Sequence, residues 1–231
     1  MGAQWKQKGR VENSAKRGQL ISKMVKEIIM ATKAGDPDPA HNARLRTAVE
    51  SAKKQSVPRE NIERAIKKGA GLLEPVNYEL VTYEGFTPHK VPLMVECLTE
   101  NRNRTSSDIR ALFRKGTLGA TGSVSYMFNH VGMVVATHPH TAMDLEEAAI
   151  EAGAQEVEKT DDGAQFICEK ADLISVTKAL HDMGWQVSAS EFAYVPKDPV
   201  EVAPAAKAEI EAFLNELDDN DDVHRIFIAL K

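Results

Sequence analysis

Apolar positions in the first third of the chain recur at helical spacing. Leu20, Met24, Ile28 and Ala31, flanked by Ile21 and Val25, predict a helix over residues 19–34. The run Gly35-Asp36-Pro37-Asp38-Pro39 stops it. Leu45, Ala48, Val49 and Ala52 form the stripe of a second helix over 39–55. A third helix is expected with Ser56 as N-cap, Pro58 in its first turn, and Ile62, Ala65 and Ile66 facing inward. Gly69-Ala70-Gly71 closes it. Helices this short bury little surface alone, so they must pack on one another or on the rest of the chain. Residues 1–18 hold little apolar material beyond Trp5 and Val11 and read as a basic arm.

Beyond Gly71 the period changes from helical to alternating. Strands are expected at 78–84, 91–99 and 123–128, with a helix at 105–115 that turns Ile109, Leu112 and Phe113 inward. The segments 132–137, 144–152, 156–160, 164–169, 171–183 and 186–195 then read strand, helix, strand, strand, helix, strand. Asp161-Asp162-Gly163 marks the central hairpin. This order is the ferredoxin-like split βαβ. The tail adds a short strand at 200–202, a helix at 204–217 and a last strand at 223–230. It is too small to stand alone and is expected to complete the sheet begun by residues 76–128. The predicted fold is therefore α+β. A basic three-helix domain with its arm (1–74) precedes a discontinuous α/β domain (75–130 plus 198–231), into which a ferredoxin-like unit (131–197) is inserted.

Charge sharpens this division. The net charge of −5 conceals sixteen Lys and Arg against seven Asp and Glu through Ala70, and thirteen against twenty-seven thereafter. A cationic head on an acidic body suggests a polyanion-binding face. The 42% apolar content is enough for a folded core, and no apolar run approaches the ~20 residues of a membrane helix. The N-terminal stretch lacks the apolar core of a secretory signal, so the expected compartment is the cytoplasm. Cys97 and Cys168 each sit in an apolar run and read as buried free thiols.

Several strings stand out together: AKRGQ at 15–19, NARLRTAVESAKKQSVPRENIERAIKKGAG at 42–71, YEGF at 83–86, VECLTENRNRT at 95–105, GSVSYMF at 122–128, EAGA at 151–154 and LDDNDDVHRIF at 217–227. In this order they resemble the YebC family, which includes the mitochondrial translational activator of cytochrome oxidase. The resemblance covers essentially the whole chain. It implies a three-domain α+β fold with a cleft between domains, and no catalytic reaction. Members are described as DNA-binding transcriptional regulators, and others act on translating ribosomes and assist synthesis through proline-rich stretches. Three loops depart from the family pattern: Gly2-Ala3-Gln4-Trp5, Thr87-Pro88-His89-Lys90 and Lys115-Gly116-Thr117-Leu118-Gly119. They point to a divergent branch with altered partner contacts.

Lys and Arg supply most nucleic-acid affinity by neutralising phosphates. The candidate contacts are Lys6, Lys8, Arg10, Lys16 and Arg17 on the arm, Arg44, Arg46, Lys53 and Lys54 on the second helix, and Arg64, Lys67 and Lys68 on the third. The two lysines ending the third helix are equally explained by the helix dipole. Arg102 and Arg104, within Asn101-Arg102-Asn103-Arg104-Thr105, stand at a strand-to-helix junction able to receive a phosphate or an RNA edge. The structural alternative is that Asn103 or Thr105 caps the helix while the arginines pair with Glu96 or Glu100. Trp5 could stack on a base or anchor the arm. His138-Pro139-His140 lacks a third metal ligand, and Asp218, Asp219, Asp221 and Asp222 lack EF-hand spacing and read as a solvated acidic turn.

The leading reading is a non-enzymatic RNA- or ribosome-binding factor acting on translation. It is expected to be a monomer with no cofactor, metal, membrane or small-molecule substrate. A DNA-binding transcriptional regulator is the alternative, although no helix with an evident base-reading face stands out. A hydrolase or metal-dependent enzyme using the interdomain cleft is the third reading. No phosphate loop, nucleophile elbow or zinc-ligand motif accompanies it.

Overall fold

The computed structural model describes residues 14–74, 77–139, 144–161 and 163–231, with side chains from Arg17 onward. The elements run α1 (Ser14–Lys33), α2 (Ala43–Lys54), α3 (Arg59–Gly69), β1 (Glu79–Phe86), β2 (Pro92–Thr99), α4 (Arg102–Leu112), β3 (Thr117–Leu118), β4 (Phe128–Thr137), α5 (Leu145–Ala152), β5 (Glu156–Thr160), β6 (Gly163–Cys168), α6 (Leu173–Asp182), β7 (Gln186–Pro196), α7 (Pro204–Asp218) and β8 (Val223–Ile228). The fold class is α+β, as expected. Two compact units emerge. Among the described residues, one gathers 14–26, 77–129 and 194–231, and the other 27–74, 130–139, 144–161 and 163–193. Among the described residues no helix is long and apolar enough to cross a membrane.

The sheet of the first unit has the order β3-β1-β2-β8. Its pairings are antiparallel, with Tyr83 opposite Val95 and Val95 opposite Ile226. The nearly unbroken apolar run of β2 suits a central strand, and all its residues are buried. Val95, Cys97 and Ile226 pack with Ile109 and Phe113, and with Ile210, Phe213 and Leu214 of α7. Phe113 and Phe213 meet edge to face at 5.5 Å between centroids. The last strand thus joins the sheet begun by β1. Residues 200–202 form no strand, and only an isolated bridge links Val200 to Leu230.

The sheet of the second unit has the order β5-β6-β4-β7. With α5 and α6 as connections, this is the ferredoxin-like arrangement read from the sequence. Thr160 pairs with Gly163 across the hairpin; Asp162 between them lies outside the described residues. Ala148 and Ala152 of α5 and Val176 and Leu180 of α6 pack on Val134, Phe166 and Trp185. The ring of Phe166 stands edge-on to Trp185 at 5.0 Å.

Both cysteines are free and buried. Burial, reinforced by the Asp222 charge, pushes the Cys97 thiol up to about 12, and burial pushes Cys168 to about 11. Neither is thiolate at neutral pH, so neither is poised as a nucleophile.

Helix α1 begins at Ser14, inside the stretch expected as an arm, and α2 begins at Ala43 rather than near 39. Three further differences have identifiable reasons. Ser56 is not a side-chain cap. It takes a left-handed backbone with φ 57°, and Pro58 holds the N-cap position of α3 without a side-chain bond. Helix α4 starts a turn earlier than expected because Asn101 caps it. The third difference is the expected strand at 123–128, which is instead a turn around Glu84. The buried Glu84 carboxylate accepts from the backbone N–H groups of Gly122, Val124 and Ser125 at 2.7, 2.8 and 2.9 Å. Burial pushes this acid up, but the three N–H donors outweigh it and hold it below its ordinary range.

Replacing Glu84 with Gln sets an amide N–H against those donors. It should lower unfolding stability by about 1.5–3 kcal/mol. Because the folded carboxyl is depressed, this contribution is present above about pH 4 and is lost as pH falls through the folded value. Urea midpoints for parent and variant should therefore converge in acid. Equal midpoints at neutral pH would refute the role given to Glu84.

Candidate nucleic-acid interface

The head helices are built on one polar staple. Asn42 caps α2 by accepting from Leu45 N at 3.0 Å. Its amide donates to Ala31 O and Asp36 O, both at 2.9 Å, which joins the end of α1 to the start of α2. Leu45, Val49 and Ala52 then face inward, as the sequence stripe implied. Ile62 and Ala65 do the same on α3. Gly69 lets α3 close onto α1, since a Cβ there would lie 2.5 Å from Thr32 Cβ and 2.8 Å from Ile29 O. Ser51 Oγ donates to Ser188 O at 3.0 Å and ties α2 to β7.

With these faces committed inward, the cations sort into two groups. Lys53, Lys54, Arg64 and Lys67 are exposed, Lys68 is half-buried, and none has an ion pair among the described residues. Lys53 and Lys54 fall in the last turn of α2, and Lys67 and Lys68 in the last turn of α3. The helix dipole stabilises them there, whatever else they touch.

Arg44 and Arg46 are instead engaged within the protein. Arg44 binds the Glu27 carboxylate through Nη2 at 2.9 Å and Nε at 3.0 Å. Arg46 donates to Pro39 O and Ala40 O at 3.0 and 2.8 Å. Arg17 is exposed on α1. Lys6, Lys8, Arg10 and Trp5, and the side chain of Lys16, lie outside the described residues.

In the first unit, Asn101 caps α4 by accepting from Arg104 N at 3.1 Å. This replaces the expected Asn103 or Thr105 cap. Arg102 is exposed without an ion pair among the described residues. Arg104 binds Asp222 Oδ2 through Nη2 at 2.8 Å, so its partner is neither Glu96 nor Glu100.

The acidic turn is also not simply solvated. Asp222 is 5% exposed and sits at the centre of a network. Lys26 Nζ reaches Asp222 Oδ1 at 3.0 Å, Asp221 O at 2.8 Å and Leu98 O at 3.1 Å, using all three of its protons. Thr105 Oγ1 lies 2.8 Å from Asp222 Oδ2. Burial pushes the Asp222 carboxyl up, yet the bonds from Arg104, Lys26 and Thr105 win and hold it below its ordinary range. Lys23 binds Asp218 Oδ1 at 3.0 Å in the same way. Part of the positive charge of the first third is therefore spent on the carboxylates of the tail.

Among the described residues no group of His, Cys, Asp and Glu is arranged to hold a metal ion. His140 falls outside them. The His138 ring lies against Trp185 with centroids 5.1 Å apart and planes inclined at 53°.

Comparison with known proteins gives concordant matches. Residues 2–72 match the domain described as TACO1/YebC protein N-terminal domain, and residues 78–230 match the TACO1/YebC second and third domain. A protein of Pseudomonas fluorescens, named a probable transcriptional regulatory protein, is 53% identical over 100% of this chain and 99% of its own length. One of Bdellovibrio bacteriovorus with the same designation is 45% identical over 100% of both chains. The crystal structure of a conserved hypothetical protein, Aq1575, from Aquifex aeolicus superposes with a TM-score of 0.86 at 39% identity, covering 99% of this chain and 96% of that one. The chain belongs to the TACO1/YebC family.

Proposed function

We propose that this protein is a non-enzymatic nucleic-acid-binding regulatory factor that acts on translation. It would bind ribosomal or transfer RNA on the ribosome and ease the synthesis of proline-rich stretches. The observation that carries this reading is the set of exposed cations Lys53, Lys54, Arg64 and Lys67, unneutralised among the described residues, on helices whose other faces are buried. Lys68, Arg17 and Arg102 extend the same chemistry, and the arm residues Lys6, Lys8, Arg10 and Lys16 add to it. Arg44 and Arg104 would act chiefly by shaping their surroundings, while Arg46 keeps N–H groups beyond those that hold Pro39 O and Ala40 O. Scattered cations suit A-form RNA, which is read through shape, phosphates and 2′-hydroxyls. The family supports a regulatory role related to nucleic acid.

Residues 1–74 would serve as the grip. The discontinuous domain of 75–130 and 198–231 and the ferredoxin-like domain of 131–197 would position it, in a cytoplasmic monomer. A second reading, a DNA-binding transcriptional regulator, is favoured by the designation carried by the relatives.

Ribosome co-sedimentation in salt steps, run beside gel shifts on random and specific DNA, separates the two. The expected result is retention on ribosomes with salt-sensitive, sequence-blind DNA binding. A discrete footprint at one operator without ribosome retention would overturn the translational reading.

A further inference from the structure

Within the second unit, α2 and α6 line a cleft of about 640 Å³, joined by the start of β7. That volume falls in the range of small-ligand sites and admits one nucleotide. Its lining combines three kinds of group. Arg46 is held by two backbone carbonyls, and its other N–H groups have no partner among the described residues. Lys54 is exposed at the far end of α2, so a fixed and a mobile cation stand at separate points of the wall. Glu50 contributes a carboxylate acceptor. Ile174 presents an apolar side chain that is 76% exposed. Trp185 is 3% exposed, and its buried Nε1–H has no acceptor among the described residues.

We propose that this cleft takes one unpaired nucleotide of a single-stranded RNA segment. The inference rests on the RNA-binding reading above and adds the place and the chemical form of the contact. Arg46 meets the phosphate of that nucleotide through its remaining N–H groups, and Lys54 a neighbouring phosphate of the strand. The base lies against the apolar wall that includes Ile174, above the buried Trp185. Glu50 accepts from an exocyclic amine, as carboxylates do for amino-bearing bases. Inorganic phosphate would gain nothing from the apolar wall and would be repelled by the carboxylate. A wholly apolar ligand would leave the cations and Glu50 desolvated without partners.

The test uses the full chain carrying Trp5→Phe. Of its two tryptophans this leaves only Trp185 as a fluorophore. A dye-labelled adenosine-rich RNA single strand and a fully paired RNA hairpin are titrated in. Dye anisotropy reads total binding and Trp185 emission reads the cleft. The expected result is a saturable change in Trp185 emission with the single strand only, tracking the anisotropy. Ile174→Glu, on an exposed position, should weaken single-strand binding about tenfold while leaving hairpin binding unchanged. If the single strand binds by anisotropy but Trp185 stays silent and Ile174→Glu binds like its parent, the cleft assignment is overturned and the RNA reading stands. If neither RNA binds by anisotropy even to the full chain with Trp5 in place, both are overturned.

Discussion

Asp222→Ala should destabilise the first unit by about 3–5 kcal/mol, the cost typical of removing one partner from a buried ion pair. The carboxylate takes bonds from Lys26, Arg104 and Thr105. Lys26 is itself buried, so the variant leaves an ammonium group with two carbonyl oxygens and no counter-charge. Arg104 is half-exposed and recovers solvation, so most of the loss falls on Lys26. Asp222→Asn keeps the shape and should lie between parent and alanine variant. Hydrogen exchange of β2 and β8 in urea is the appropriate measurement, because it reports this unit alone.

The pH dependence follows from the depressed carboxyl. A folded value below the unfolded one means the unfolded chain binds the proton more readily in acid. The stabilisation is full above about pH 4 and fades as pH falls through the folded value. The gap between parent and Asp222→Ala should close in the same direction. Unchanged protection in the variant at neutral pH would show that the network is not what holds the N-terminal half of α1 to the tail.

The second large effect concerns binding. Reversing Lys53, Lys54, Arg64 and Lys67 to Glu should weaken association with ribosomal RNA by at least about a hundredfold near physiological salt. It should also lower the salt slope by about one for each phosphate that is no longer neutralised. These side chains are exposed and unpaired among the described residues, so the stability loss is limited to the helix dipole, about 0.3–1 kcal/mol or somewhat more for each of Lys53, Lys54 and Lys67 in the last turns of α2 and α3. Arg44 and Arg46 are poor choices for this experiment. Reversal at Arg44 sets a carboxylate against Glu27, and reversal at Arg46 removes the donors that hold Pro39 O and Ala40 O. Weaker binding there would report a disturbed head as readily as a missing phosphate partner. Undiminished affinity in the four-site variant would mean that the grip lies elsewhere.

What the sequence revealed tracks how local the determining interactions are. The stripes of α2 and α3 and the alternation around the Thr160–Gly163 hairpin depend on neighbours within a few positions, and those elements were legible. The turn at 122–125 depends on Glu84, which is 38 residues from the first amide it binds. Nothing in GSVSYMF itself reveals that the backbone donors are already taken. Asp222 and Arg104 are 118 positions apart, so an aspartate-rich turn looked solvated until its partners were in place.

The candidate site shows the same limit. Charge counting found the cationic head but could not separate Arg44, neutralised by Glu27, from Lys53, left open. The α2–α6 cleft escaped notice because it arises only when residues near 46 and near 185 are brought together by packing within one unit. Trp185 falls between the helix expected at 171–183 and the strand expected at 186–195, and no local signal marks its N–H as unpartnered.

Ultraviolet crosslinking of the full chain to RNA in cells, with the crosslinked peptides and RNA positions both mapped, tests the central claim most directly. The account predicts crosslinks to ribosomal or transfer RNA concentrated in peptides from residues 42–68. Crosslinks confined to other parts of the chain, or recovery of the protein on chromosomal DNA with none on RNA, would contradict it.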